Sequence, residues 1–254
     1  MKRFGYVLLV AVLAWGFTGP VQAQMGTIRF DNWLYYQQNY DDSIRYQYRA
    51  RVFVPFALGD GWTFTQRVDV PFYYTDKQGP ANTSGGYEFR LSDAFIEEIF
   101  DTPDVAKNFR LRGSVRLVFP TGGESPFGSD QWQVAPGAGF NWRLPDVGRG
   151  MTVAPYFRYF YGFDPGSSTV TTNRRLDIFP SVDFKLDDKW TLALYPEQGM
   201  SYNFRSNKWF VPIEAMLVNR PSKKFAYGFG GAYALAQGDG SYRWLLQTRL
   251  TFYF

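Results

Sequence analysis

The 254-residue chain contains no cysteine and no histidine. Without cysteine there is neither a disulfide nor a thiolate metal site. Without histidine, the general base on which lipase-like and protease-like chemistry depends is missing. The carboxylate pair Asp177/Asp183 remains as an acid–base candidate, but carboxylates at such spacing more often serve as salt-bridge partners. Gly137/Gly139 and Gly228/Gly230 precede no helical pattern, so they make no phosphate loop. No enzyme activity, metal or cofactor is expected. A charge excess is also missing. The formal net charge is +4, and two of the positive charges, Lys2 and Arg3, lie at the N-terminus. That is too little to argue for nucleic acid as a partner.

Long apolar runs are absent as well. One run, Tyr6 to Phe17, falls short of the roughly 20 residues a spanning helix needs. It follows Lys2 and Arg3 and precedes the helix-breaking Gly19-Pro20 and the small-residue site Val21-Gln22-Ala23. This order predicts a secretory signal peptide over 1–23, cut after Ala23, and one unit over 24–254.

Aromatic residues, by contrast, are abundant at 20%, equal to the charged fraction, while mean hydropathy is only −0.30. A helical membrane protein is far more apolar. A membrane β-barrel averages lipid-facing and water-facing residues within each strand and hides its hydrophobicity from such a mean.

The stretch SIRYQYRARVFVPF (43–56) shows how. Ile44, Tyr46, Tyr48, Ala50, Val52 and Val54 alternate with Arg45, Gln47, Arg49 and Arg51. Period two is the signature of a strand whose two faces differ. Similar segments recur at 27–38, 62–74, 87–100, 109–120, 131–144, 151–163, 175–186, 190–204, 208–219, 225–236 and 242–254. Most meet the roughly 9–11 residues a tilted strand needs to cross a bilayer, whereas soluble strands cluster near 5–6. The expected fold is therefore all-β, a transmembrane antiparallel up-and-down β-barrel of about twelve strands following the leader. Connections alternate between short (57–61, 145–150) and long (75–86, 121–130, 164–174) in the first half of the chain. Short turns are periplasmic and long loops external in such barrels, and an even strand number puts both termini in the periplasm.

A Lys or Arg on the lipid face costs about 2–4 kcal/mol near the midplane. The arginines of 43–56 are therefore expected to face the lumen. The same parity rule makes Arg45, Arg49, Arg51, Arg67, Asp69, Arg110, Arg112, Arg116, Arg143, Arg158, Asp177, Asp183, Glu197, Glu214, Arg243 and Arg249 lumen-lining filter candidates. Either an arginine wall faces an acidic wall across an open lumen, or the charges pair into a network that fills it. Phe53, Tyr156, Phe160 and Tyr195 share the inward parity as an aromatic constriction or as space-fillers. The inward set of 225–236 is Ala226, Gly228, Gly230, Ala232 and Ala234, which leaves room for a passage or for an inward-folded segment.

Pro71, Pro136, Pro155, Pro180, Pro196 and Pro212 fall inside these strands, where proline marks a bulge or an end. In 87–100 neither parity keeps Arg90, Asp93, Glu97 and Glu98 all out of lipid. A bulge near Ser92-Asp93 is expected there.

The chain ends with Leu250, Phe252 and Phe254 on one face, resembling the terminal signal by which barrel assembly machinery recognises its clients. Phe119-Pro120-Thr121-Gly122, then Trp132, Pro136, Gly137, Gly139 and Trp142-Arg143-Leu144, together with the segments VPFALGDGWTFTQRVDVPF and LYPEQGMSYNF…KWFVPIEAML, resemble the outer-membrane family named for the MetA pathway of phenol degradation. The likeness spans most of 43–254 and departs from the family's Gly-Asp pair at Ser92-Asp93. It implies a barrel of this size that takes up aromatic or other hydrophobic small molecules, with no catalytic residues. The leading expectation is a passive channel in the outer membrane of a Gram-negative bacterium, with lipid, assembly machinery and a small solute as its partners. A porin for anionic solutes such as acidic oligosaccharides, suited to the arginines, and a structural barrel with a closed lumen are the alternatives.

Overall fold

The computed structural model of the chain describes residues 24–166, 170–238 and 242–254. The expected leader, 1–23, lies outside the described residues. The strands are β1 (Gln24–Met25), β2 (Arg29–Asn39), β3 (Ile44–Gly59), β4 (Trp62–Thr75), β5 (Glu88–Leu91), β6 (Phe95–Asp101), β7 (Phe109–Val118), β8 (Gln131–Leu144), β9 (Met151–Pro165), β10 (Arg174–Lys185), β11 (Trp190–Leu194), β12 (Met200–Asn203), β13 (Lys208–Asn219), β14 (Phe225–Ala236) and β15 (Tyr242–Tyr253). Every pairing is antiparallel. β1 prolongs β2 along β3, β5 and β6 share the edge of β4, and β11 and β12 share the space between β10 and β13. The described residues thus form twelve staves, closed where β15 pairs with β2. Closure pairs the first stave with the last and so leaves no open seam between them for hydrocarbon to desolvate.

The alternation of 43–56 places Tyr46 and Tyr48 on the exposed outer face. Cross-strand partners stand on the same face of a sheet, so pairing extends that outer row around the barrel. Near the end that carries the long connections, Tyr36, Tyr46, Tyr74 and Tyr87 follow one another with ring centroids 5.1, 6.1 and 4.9 Å apart. Near the end that carries both termini, Phe56, Phe64 and Phe100 stand 5.8 and 5.0 Å apart, and Phe225 and Phe252 5.3 Å apart. Two aromatic girdles flanking an apolar band are the outer surface of a membrane barrel. Backbone bonds between Ile28 and Phe254 tie the start of the barrel to the end of its last strand.

Two breaks interrupt the ladder and shape the interior. Leu91 pairs with Phe72 but Phe95 pairs with Asp69, so Ser92, Asp93 and Ala94 oppose only Val70 and Pro71. The extra residue reverses the alternation. Arg90 opposes inward Tyr73, Glu97 opposes inward Arg67, and Glu98 is left beside outward Gln66. The second break is larger. Leu194 pairs with Val182 and Met200 with Ile178, so the five residues 195–199 oppose the three of 179–181.

The in-strand prolines sit largely at such irregularities. Pro71 faces the first break, Pro196 lies inside the second, and Pro212 marks a register shift in β13. Pro136 falls where β8 skips its pairing with β9, and Pro155 and Pro180 stand opposite each other.

Candidate functional site

Three buried carboxylates organise one side of the interior. Asp69 accepts two hydrogen bonds from Arg51, at 3.1 and 2.9 Å, and two from Arg67, at 2.7 and 2.9 Å. Glu97 accepts from Arg116 at 2.8 Å, Arg158 at 2.5 Å, Arg67 at 3.3 Å and the Ser114 hydroxyl at 2.8 Å. Glu197 receives both ends of the Arg51 fork, at 2.9 and 2.6 Å, together with Arg49. Five guanidiniums therefore share three carboxylates, and the chain of contacts runs unbroken from Arg49 to Arg158. Charge-assisted, forked bonds are the compensation that buried ions require.

Glu197 reaches this network from the opposite wall. It belongs to the 195–199 break, which begins with Tyr195 at φ 52°. Glu214 holds the segment from behind, accepting the backbone N–H groups of Glu197 at 3.0 Å and Gln198 at 2.7 Å and the Gln247 amide at 2.5 Å. The Ser181 hydroxyl donates to the Tyr195 carbonyl at 2.8 Å.

Apolar side chains fill the rest. Trp33, Tyr35, Ala193, Met216, Ala232, Tyr242 and Leu245 form one inner cluster, and Phe95, Val118, Ala135 and Phe160 a second. The two sets meet through cation–π contacts: Arg116 lies 3.7 Å from the Phe95 ring, Arg51 5.4 Å from Trp33 and Arg49 5.4 Å from Tyr35. Toward the long connections the interior opens into a cavity of about 440 Å³ bordered by Gln131, Asn173, Arg175, Asn203 and Arg205.

The candidates read from parity thus separate by depth. Arg49, Arg51, Arg67, Asp69, Arg116, Arg158 and Glu197 are brought together, with Glu214 one step behind. Arg45 lies nearer the cavity end, stacked 4.4 Å from Tyr73 and donating to the Pro126 carbonyl at 3.3 Å. Asp177 binds Arg175 at 2.7 and 3.1 Å, Asp183 stands opposite Ala193, and Arg249 lies 5.2 Å from Trp33. Arg112 binds Asp101 at 2.7 and 2.9 Å.

Three arginines stand at the barrel ends instead. Arg110 and Arg143 meet Asp104 in the turn at the termini end, with side chains 37% and 50% exposed. The Asp104 carboxyl is held below its ordinary range chiefly by the hydrogen bond from Arg110. Arg243 is a correction: the register shift between Tyr242 and Trp244 turns Tyr242 inward in its place, and Arg243 pairs with Asp42 at 3.2 Å outside the lumen. A one-residue irregularity reverses parity, and no proline or glycine within the strand announced it.

The aromatic candidates form no single ring. Phe53 lies under Arg29 at 3.7 Å, Tyr156 bonds the Ser114 hydroxyl, Phe160 belongs to the second apolar cluster, and Tyr195 opens the inward segment. Tyr156 fits because Gly139 opposite it and Gly137 beneath its hydroxyl have no side chain: a Cβ on Gly137 would lie 2.1 Å from the Tyr156 hydroxyl oxygen.

Sequence reasoning missed Asp31, Trp33 and Tyr35 on β2, and Glu97. Alternation was present in Arg29-Phe30-Asp31-Asn32-Trp33-Leu34-Tyr35-Tyr36, but aromatics on both faces and an outward Asn32 blurred it. Glu97 was hidden by the reversal at Ser92-Asp93.

This barrel is similar to solved outer-membrane proteins. The COG4313 outer membrane channel from Pseudomonas putida F1 matches 93% of this chain and 97% of its own, with TM-score 0.65 and 16% identity. The NanC porin matches 89% of this chain and 98% of its own, with TM-score 0.54 and 12% identity. The KdgM porin matches 89% and 99%, with TM-score 0.53 and 10% identity. At such identities the likeness is one of fold. No protein-family model and no curated protein matches the chain.

Proposed function

We propose that this protein is a passive channel in the outer membrane of a Gram-negative bacterium, admitting small solutes through the barrel interior. The observation that carries the reading is the central charge network, in which guanidiniums outnumber the carboxylates they share. A low-dielectric tube with such a surplus raises the local concentration of anions. Similarity to channels and porins of known structure supports the same class.

In this reading residues 1–23 are a cleaved leader and 24–254 the mature barrel. Both termini face the periplasm, and Leu250, Phe252 and Phe254 serve as the recognition signal for the assembly machinery. Membership of the MetA-pathway family would bring aromatic or hydrophobic solutes, a reading supported by the rings of Trp33, Tyr35 and Phe53 beneath the guanidiniums. Anionic solutes are the second reading, supported by the cationic surplus itself.

The test is single-channel conductance and reversal potential of the refolded mature chain in a planar bilayer under a salt gradient. A small anion-preferring conductance that loses its preference in Arg49→Ala supports the channel. A correctly folded, heat-modifiable barrel that passes no current, even when the interior is opened by Glu197→Gln, would leave a structural barrel with a closed lumen.

A further inference from the structure

We infer that Arg49 and Arg51 form a binding site for a small carboxylate solute, and that the chain's own Glu197 occupies this site in the resting barrel as a displaceable latch. The inference rests on the channel reading and adds to it the chemical class of the solute and the element that yields to it.

Both Arg51 terminal nitrogens point at the two Glu197 oxygens, and Arg49 adds a third donor. This is the fork-to-carboxylate arrangement that a planar guanidinium recognises best. The Arg51 Nε is meanwhile held by Asp69 on the neighbouring strand, at 3.1 and 2.9 Å. The fork is therefore aimed independently of Glu197, and it stays aimed when Glu197 leaves. A preformed site loses little freedom on binding.

The latch side is built differently. Residues 195–199 stand outside the regular ladder, five residues against three. Tyr195 holds a left-handed backbone conformation, which is strained for a non-glycine residue. The segment is fastened to its own wall by Glu214 and Ser181. Those contacts use the backbone at positions 195, 197 and 198 and do not need the Glu197 carboxylate. The bonds to the far wall come from the Glu197 side chain.

Replacing that carboxylate by a solute's own carboxylate therefore exchanges like for like at the arginines, and it releases a charged arm that crosses between the walls. Asn203, which borders the cavity near the long connections, lies four residues along the chain from the Gly199 end of the same segment. At about 3.3 Å per residue, the border of the cavity lies roughly 13 Å along the chain from the latch segment. Without Glu197, five guanidiniums keep two carboxylates, Asp69 and Glu97, so the vacated position favours an anion.

The experiment uses the full mature chain in planar bilayers, with benzoate as the carboxylate probe and benzyl alcohol as the neutral control of similar size. Wild type is expected to show a small conductance that rises several-fold with millimolar benzoate and is unmoved by benzyl alcohol. Glu197→Gln is expected to show the several-fold higher conductance without any benzoate, with a stronger anion preference. In that variant, benzoate lowers the chloride current by occupying the freed arginines. If wild type and Glu197→Gln conduct equally and neither responds to benzoate, Glu197 is a fixed brace. The inference then falls while the channel reading stands. If both are silent although folded, the channel reading fails and takes the inference with it. Should Glu197→Gln not refold, the wild-type benzoate response decides alone, and its absence overturns the latch.

Discussion

Arg158 on β9 and Glu97 on β6 meet at 2.5 Å across the barrel interior although two staves, β7 and β8, separate them in the wall. The contact closes a group in which one carboxylate serves Arg67, Arg116 and Arg158. Removing that shared partner takes the carboxylate from buried Arg116 and Arg158 at once and leaves Arg67 with Asp69.

Glu97→Gln is accordingly expected to destabilise the barrel by about 3–5 kcal/mol, the range for breaking a buried ion pair from one side. Denaturant unfolding in lipid vesicles, followed by tryptophan fluorescence and by heat-modifiable gel mobility, measures it. A loss no larger than that of an exposed charge substitution would contradict the role given to Glu97.

Asp104 supplies the contrast. Arg110 and Arg143 hold its carboxyl below the ordinary range, but in solvent at the termini end. A carboxyl depressed in the folded state contributes stability above its unfolded value and loses it as pH falls through the depressed value. Here water and salt screen the pairs. Asp104→Asn should therefore leave the unfolding midpoint of the barrel, and its change between pH 7 and pH 4, the same as in wild type. A clear divergence of the two profiles would show that the turn is coupled to the barrel wall.

Gly137→Ala places a methyl group where the Tyr156 hydroxyl now sits, 2.1 Å from its oxygen and 2.9 Å from the Phe157 carbonyl. Backbone on one side and a packed ring on the other leave little room to relax. A destabilisation of about 1–3 kcal/mol is expected, with the Ser114–Tyr156 bond lost. Wild-type stability in this variant would mean that Tyr156 moves freely in the lumen.

On the outer face, Glu98 and Gln66 hydrogen-bond each other at 3.0 Å among apolar neighbours such as exposed Val115. A carboxylate on the lipid face is unfavourable in a depth-dependent way, less so than Arg or Lys. Replacing the pair together, Glu98→Leu with Gln66→Val, should stabilise the barrel by about 1 kcal/mol in the same vesicle assay. Loss of stability would point to a partner that uses this polar pair.

Much of the architecture was legible along the chain because exposure to hydrocarbon imposes a local rule. Ile44, Tyr46 and Tyr48 alternate with Arg45, Gln47 and Arg49, and a strand has only two faces on which to put them. Repetition of that pattern, with strands too long for a soluble sheet, was enough for a closed barrel of about twelve strands. Prolines and the conflict among Arg90, Asp93, Glu97 and Glu98 marked where the rule would fail.

What alternation cannot convey is which inward residue meets which. Arg49 and Arg51 are separated from Glu197 by almost 150 residues of chain, and they touch it through a five-residue break that replaces three. The one-residue shift at Ser92–Ala94 reverses the facings beyond it, and the shift at Tyr242/Trp244 turns Tyr242 inward in place of Arg243. The barrel and most of the lumen charges it encloses were thus determined by sequence alone, through the pairing of period with solvent, while Asp31 and Glu97 were not. Which charges share a carboxylate, and that the interior is bridged by Glu197, was decided by tertiary structure, because curvature and register bring distant staves together and neither is written in any one strand.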